Sequence, residues 1–347
     1  MNLRLFSRRN SHLINALSFS SRSASSSAMK AIRVDAFGGP EVLKLQEVAV
    51  PKVTPGTLLV RLKAVGVNPI ETYIRAGAQN VELPYIPGTD GAGVVEEVGD
   101  GVTSFKKGDK VFVCGTEKGS GTYAEYCLSS KDHVRPLSRS FEAGAAVGIP
   151  YRTAYRALNQ VTSVSKDESL LIHGSSGAVG IACLQLAKDL GIENIAGTAG
   201  SSEGLQLIKS EGATVALNHR DDNYTEGLKD KFPDGVDNII EMLANVNLNT
   251  DLELLRRRGT VTVVGSRGPV EINPRLIMAK ELSVNGFIIF NIGAEENRRC
   301  MDFLAEALDD GAIKPIVEKS FSLEDAPAAH DFVINKKATL GKIVLKP

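Results

Sequence analysis

The residues best placed to do chemistry form one turn, His173-Gly174-Ser175-Ser176-Gly177-Ala178-Val179-Gly180. Its glycines follow the spacing GxxGxxG, between the apolar run SLLI and the helical run AVGIACLQLAKDLG. A strand, a glycine turn and a helix in that order suit a dinucleotide diphosphate. Gly174 permits the tight turn, Gly177 removes a Cβ where the diphosphate nears the backbone, and Gly180 lets the helix approach the sheet. The helix then presents unpaired N–H groups to the anion. An ordinary strand-to-helix turn is the competing reading, and the repeating βα pattern around the turn favours the nucleotide. The second strand ends Ala196-Gly197-Thr198-Ala199-Gly200-Ser201-Ser202, without the acid that bonds the ribose 2′-hydroxyl in NAD sites. A carboxylate there would repel a 2′-phosphate, and its absence admits one. Thr198, Ser201 and Ser202 offer hydroxyl donors, and Asn218-His219-Arg220 offers basic partners. The cofactor expected on these grounds is NADPH.

The elements that must position this turn follow from the order of apolar runs. From Met29 to about Leu128, short β-rich runs such as AIRVDAF, TLLVRLKAVGV, GAGVVEEVG, DKVFVC and TYAEYCL are punctuated by glycine and proline, which reads as a compact all-β unit. FEAGAAVGI and PYRTAYRALNQ are helical in composition. Strands then alternate with helices through SLLIHG, NIAGTAG, TVALNH, VDNIIEML and TVTVVG, the pattern of a doubly wound parallel sheet. EENRRCMDFLAEALDDG predicts a late helix, and ATLGKIVLKP a final strand. The fold class expected is α/β, a β-rich catalytic domain plus a Rossmann-like cofactor domain. The boundaries read as 1–28 for a leader, 29–152, 153–289, and 290–347 as a return to the first domain.

The chain has 347 residues, 43% of them hydrophobic, and a formal net charge of −1. That length is comfortable for two domains, and no apolar run is long enough to span a membrane. The charge gives no general pull toward nucleic acid. Residues 1–28 carry four arginines, nine serines and no acid, the composition of a mitochondrial transit peptide, with a tail that carries no address as the competing reading. Their removal leaves 36 basic against 41 acidic residues, a body near −5. Cys114, Cys127, Cys183 and Cys300 stand far apart, so neither a CxxC zinc lobe nor a disulfide framework is expected. Histidines at 12, 133, 173, 219 and 330 are scattered singly and do not suggest a metal site.

From Met29 onward the chain resembles the medium-chain dehydrogenase/reductase superfamily, whose cadence stands in GTDGAGVVEEVGDGVTSFKKGDKVF, 88–112. Within it, the chain is similar to the zinc-free quinone oxidoreductases, most of all the zeta-crystallin branch. FGGPEVLKL (37–45), GVNPIETYIRAG (66–77), GIPYRTAYRAL (148–158), NHRDDNY (218–224), EMLANVNL (241–248), VVGSRGPVEINPR (263–275) and MAKE (278–281) carry the likeness. The resemblance implies a GroES-like first domain. Zinc alcohol dehydrogenases carry a Cys where this chain has Asn68 and a His-Glu pair where it has Thr89-Asp90. Amide and hydroxyl oxygens are poor zinc ligands beside thiolate and imidazole, so a chemistry without the metal is implied. A quinone suits it, because the reduced ring is aromatic and its charge is delocalised.

Carried over residue by residue, the resemblance implies that Ser176, Gly177, Ala178 and Val179 hold the diphosphate. It places Gly200 and His219 by the adenosine end and includes Asn245, Val264, Gly265, Ser266 and Arg267 in the cofactor site. Phe287, Ile288 and Ile289 would run past the nicotinamide, with Tyr73 reaching nicotinamide and substrate. Bacterial relatives use a lysine and an arginine on the 2′-phosphate; this chain has Gly204 at the first place and Lys337 at or near the second. Tyr73 and Asn68 are the two polar side chains expected at the reacting centre, as donors to a carbonyl oxygen while hydride arrives. Reduction of an enone or an enoyl thioester is the enzymatic alternative, which the transit-like leader favours. A lens-protein or AU-rich-RNA role is implied by the family alone, and the charge argues against RNA, the one basic run, Arg256-Arg257-Arg258, reading as a helix-end surface. The apolar run ELSVNGFIIF at a sheet edge predicts a subunit contact, and the family implies a homodimer or homotetramer.

Overall fold

A computed structural model describes residues 28–336 and 338–347. The first domain holds strands β1 (Ala28–Arg33), β2 (Lys44–Ala49), β3 (Thr57–Val67), β4 (Asp90–Val98), β5 (Lys110–Cys114), β6 (Tyr126–Ser130) and β7 (Val134–Pro136), with the short helix α1 (Pro69–Arg75) after β3. Helix α2 (Phe141–Tyr155) leads out of it. The second domain alternates β8 (Ser169–Ile172), α3 (Ala178–Asp189), β9 (Asn194–Ala199), α4 (Ser202–Glu211), β10 (Val215–Asn218), α5 (Tyr224–Lys231), β11 (Val236–Glu241), α6 (Ala244–Leu254), β12 (Leu255–Val263), α7 (Pro274–Lys280) and β13 (Ser283–Gly286). The chain closes through α8 (Ala294–Asp310), β14 (Val317–Ser322), α9 (Ala326–Asn335) and β15 (Lys342–Lys346).

The second domain's sheet is six-stranded and parallel, in the order β10-β9-β8-β11-β12-β13. This is the doubly wound order, and its switch point lies between β8 and β11, where ligands bind at the carboxyl ends of the strands. SLLI of β8 is buried at every position, as a central strand covered on both faces must be. The first domain's sheet runs β14-β15-β3-β4-β5-β7, so the last strand of the chain lies against β3. Ile343 pairs Val67 and Val65 pairs Gly91, which sets Lys342, Asn68 and Asp90 side by side at one rim.

Two expectations change. The boundary at 152 falls inside α2, a continuous buried helix that packs on β3, β4, β5 and α3 and so belongs to both domains. Pro150 removes one helix hydrogen bond, yet the helix continues. Arg256-Arg257-Arg258 was expected at a helix end, but α6 stops at Leu254 and the three arginines open β12. Arg256 pairs with Asp237, and Arg257 and Arg258 pair with Glu281.

Candidate active site

The glycine turn sits at the carboxyl end of β8. Gly174 adopts φ +57°, and its N–H donates to Thr198 Oγ1 (3.0 Å). Ser175 donates through its N–H (2.8 Å) and its hydroxyl (2.9 Å) to the Thr198 carbonyl, which pins the turn to β9. Gly177 caps α3 without a side-chain partner, so the first N–H groups of that helix stay available to an anion. A Cβ on Gly180 would stand 2.3 Å from Ser175 Cα, the close helix–turn packing expected of the third glycine. Ser176 is buried between this turn and Gly204, while Ala178 and Val179 are half-buried on the first turn of α3.

Gly200, His219 and Arg220 come together: a Cβ on Gly200 would lie 2.9 Å from His219 Nε2 and 3.0 Å from Arg220 Nε. His219 Nδ1 lies 3.4 Å from Thr198 Oγ1. Hydroxyl and basic groups thus converge beyond β9 as expected. Asn245 and Arg267 are also joined, since Arg267 N donates to Asn245 Oδ1 (2.8 Å). Val264 and Gly265 donate to the Glu241 carbonyl, and the Ser266 hydroxyl turns back to the Gly268 carbonyl (2.9 Å). Arg156 lies over the Phe287 ring (5.2 Å) and donates to the Ile288 carbonyl. Ile289 is buried and Ile288 is 53% exposed, so the three do not share one face. Lys337 lies outside the described residues. A cradle of glycines, open helix N–H groups and a basic far end fits NADPH.

Across from the turn lies the rim of the first domain, and the two touch. Gly177 forms an isolated parallel bridge with Gly341, one residue before Lys342. Lys342 is 2% exposed and Asp90 fully buried. The Lys342 ammonium donates to Asn68 Oδ1 and lies 3.2 Å from Asp90 Oδ2. Asn68 Nδ2 donates to Asp90 Oδ1 (2.8 Å) and to Glu71 Oε1 (3.1 Å). Ile149 N donates to Asp90 Oδ2 (2.9 Å), which ties the pair to α2. Glu71, at the third position of α1, reaches back to the Asn68 N–H (2.8 Å), as a capping-box acid does. Tyr123 OH donates to Glu71 Oε2 (2.8 Å) and lies 2.9 Å from His330 Nε2. Burial and the Asp90 charge push the Glu71 carboxyl up to about 7 against the pull of Lys342. Burial and the nearby Arg75 push His330 down to about 3.

This geometry corrects the role expected of Asn68. Both amide hydrogens and the amide oxygen are engaged inside the protein, so none remains for a substrate carbonyl. Tyr73 is half-buried on the same helix, and its hydroxyl has no hydrogen-bond partner among the described residues. The residues do not fit a zinc ion, because Asn68 and Thr89 stand where zinc dehydrogenases carry Cys and His, and the Lys342 ammonium already bonds the Asn68 oxygen and neighbouring Asp90.

Sequence reasoning passed over Lys342, Glu71, Tyr123 and His330, and also a second cluster. His173 Nε2 lies 3.0 Å from Asp251 Oδ1 and 3.7 Å from Glu241 Oε2, beside the cofactor turn. Their spacing could hold a metal ion, the one such group among the described residues. Asp251 and Glu241 stand on α6 and β11, so only the fold brings them to His173. The four cysteines are free and buried, and burial pushes Cys114, Cys127 and Cys300 each up to about 12.

Residues 178–306 match a family model described as zinc-binding dehydrogenase, and residues 54–139 match one described as alcohol dehydrogenase GroES-like domain. A rat quinone oxidoreductase is 47% identical over 323 residues, covering 91% of this chain and 97% of the rat protein. A solved Escherichia coli quinone oxidoreductase complexed with NADPH is similar at TM-score 0.82 and 30% identity, over 92% of this chain and 100% of that one. A solved NAD-dependent alcohol dehydrogenase is similar at TM-score 0.85 and 25% identity, over 92% of this chain and 100% of that one. At 47% identity over 91% of the chain, the likeness to the rat protein shows the family. The chain therefore belongs to the quinone oxidoreductase family of the medium-chain dehydrogenase/reductase superfamily.

Proposed function

We propose that the chain is an NADPH-dependent quinone reductase working without a metal, in the cleft between the glycine turn and the Lys342 rim. The bridge between Gly177 and Gly341 carries the reading, because it sets the phosphate cradle of one domain against the zinc-less rim of the other. The bound nicotinamide supplies a hydride. The chain's own residues hold the diphosphate at the α3 N-terminus, admit the 2′-phosphate beside Gly200, His219 and Arg220, and offer the Tyr73 hydroxyl to the acceptor oxygen. NADPH oxidation with a para-quinone, an ortho-quinone, an alkenal and a trans-2-enoyl thioester, each repeated with NADH, tests it. Quinone turnover with NADPH preference is expected; turnover of the thioester alone would move the chain to C=C reduction. Tyr73→Phe should lower kcat about 10- to 100-fold while leaving NADPH affinity within twofold, the size of a lost positioned donor. Full activity would remove Tyr73 from the reaction.

Two further readings rest on separate observations. The leader's composition supports a mitochondrial address, and residues 1–27 lie outside the described ones; import of the leader fused to a reporter tests it. Among the described residues strand β13 pairs only with β12, and Met278, Val284, Ile288 and Phe290 around it are exposed. An apolar edge of this kind favours a homodimer through paired β13 strands. Light scattering of wild type and Val284→Lys checks it, with loss of the dimer expected in the variant.

A further inference from the structure

We infer that Lys342 stabilises the negative charge that builds on the quinone oxygen during reduction. The inference rests on the quinone-reductase reading and adds a residue to it. Three observations meet at this ammonium. It is buried at the cleft rim, one residue from the strand bridge to the cofactor turn. It is clamped from two sides, by Asn68 Oδ1 and Asp90 Oδ2, and Asp90 is itself held by Ile149 N. Those bonds use two of the ammonium's three hydrogens and leave the third without a protein partner among the described residues.

A cation fixed in this way is a preorganised charge, and few waters screen it. One of the side chains that hold it, Asn68, stands where zinc dehydrogenases carry a Cys, so the ammonium lies beside a position that related chemistry gives to a metal ligand. Reduction moves a hydride, with its two electrons, from the cofactor to the quinone, giving a hydroquinone monoanion. A proton then forms the second O–H bond, broken from a donor N–H or O–H that is refilled from solvent. Lys342 lowers the energy of the anion between these events, and Asp90 and Asn68 are the positioning residues that aim it.

The test exploits what the charge should sense. Wild type, Lys342→Met and Lys342→Arg are compared on a series of para-quinones of graded reduction potential. Electron-poor quinones tolerate the developing charge unaided, whereas electron-rich ones do not. Lys342→Met should lower kcat/KM on the order of 100-fold for the weakest acceptors and much less for the strongest. Lys342→Arg should restore most of that gradient. A uniform loss across the series, or no loss, overturns the inference. Because Lys342→Met strands a buried carboxylate, Lys342→Met/Asp90→Asn is measured beside it and should show the same gradient. NADPH affinity read by nucleotide fluorescence should stay unchanged in every folded variant. A readout without turnover uses 4-nitrophenol in the presence of NADP+. Wild type should favour the bound phenolate over the phenol, read from its absorbance against pH, and Lys342→Met should abolish that preference. An equal preference in both overturns the inference. Wild type that reduces no quinone would sink the quinone reading, and the phenolate preference would then decide the role of Lys342 by itself.

Discussion

Two buried polar clusters, one at the first-domain rim and one beside the cofactor turn, accommodate charge in different ways. At the first-domain rim, Lys342 brings a cation to Asp90, and Glu71 is surrounded by donors: the Asn68 N–H, the Asn68 amide and the Tyr123 hydroxyl. Beside the cofactor turn, His173 stands against Asp251 and Glu241, and no lysine or arginine among the described residues pairs with either acid. Burial disfavours the charged imidazole, but the hydrogen bond and charge of Asp251 and the charge of Glu241 hold its pKa above the ordinary value. Asp251 Oδ2 is buried with no hydrogen-bond partner among the described residues. The rim is saturated with donors and carries its own cation; the other cluster must find its positive charge by taking up protons. A side chain of the same type, a buried glutamate with its carboxyl pushed up to about 7, occurs in both. Its surroundings decide what replacing it would do.

The sharpest break of this contrast is removal of the anion at each place. Asp90→Ala takes from Lys342 its bonded counterion, leaving only the more distant Glu71 charge, and frees the Ile149 N–H. We expect a loss of about 3–5 kcal/mol in urea unfolding, the usual cost of splitting a buried pair. Asp251→Asn should cost less, about 1–2 kcal/mol, because an imidazole left without its carboxylate can release its proton. Equal losses would erase the distinction between the lysine-paired rim and the histidine-centred cluster.

A smaller effect comes from Glu71→Gln. The Asn68 N–H and amide are donors, so the new NH2 is accommodated only at Tyr123, whose hydroxyl can accept from it and turn its own hydrogen to His330 Nε2. Asn68 cannot turn to help, since its oxygen already accepts from Lys342 and its NH2 donates to Asp90. Re-pairing holds the geometric cost to about 1 kcal/mol. The loss in thermal melts should be larger at pH 5 than at pH 8, because the wild-type carboxyl, pushed up to about 7, carries a stabilising proton at the lower pH that the variant lacks.

How far these clusters are legible in the sequence depends on how locally each is built. The glycine turn lies within eight consecutive residues, and His173–Gly180 sits where its pattern places it. Gly200 with His219-Arg220 was legible too, because both follow strand ends of one parallel sheet and such ends share an edge. The Asn-Pro-x-Glu run predicts the cap of α1 once Glu71 is read with Asn68. Lys342 was hidden, as it stands 274 positions from Asn68 and only the β3–β15 register brings them together. His330 and Tyr123 meet across 207 positions for the same reason. Asn68 itself was misread because a polar side chain at a cleft rim looks like a substrate donor until its partners are counted. Arg256–Arg258 looked like a helix end, since charge runs say where solvent is and nothing about backbone geometry.

The smallest and most discriminating change is Glu241→Gln. Glu241 accepts from the Leu243 N–H and from Asn247, and its second oxygen points toward His173. An amide can keep the carbonyl oxygen on Leu243 and place its NH2 toward the His173 and Asp251 side, where acceptors outnumber donors. The pH dependence then has a definite sign. Burial, with Asp251 adding to it and His173 opposing, pushes the folded carboxyl up from 4.5 to about 7, so the folded chain binds the proton more tightly than the unfolded one. The stability this proton contributes is fully present below about pH 4.5 and is lost as pH rises through about 7. The variant has no such proton to lose. It should match wild type or fall slightly below it at pH 4.5–5, then overtake it by about 1 kcal/mol or more at pH 8, with His173 absorbing part of the shift. Melting temperatures of the two proteins across pH 5 to 8 measure the crossing. A difference that stays constant with pH would place the proton elsewhere, and the cofactor-side cluster would then carry fixed charges just as the rim does.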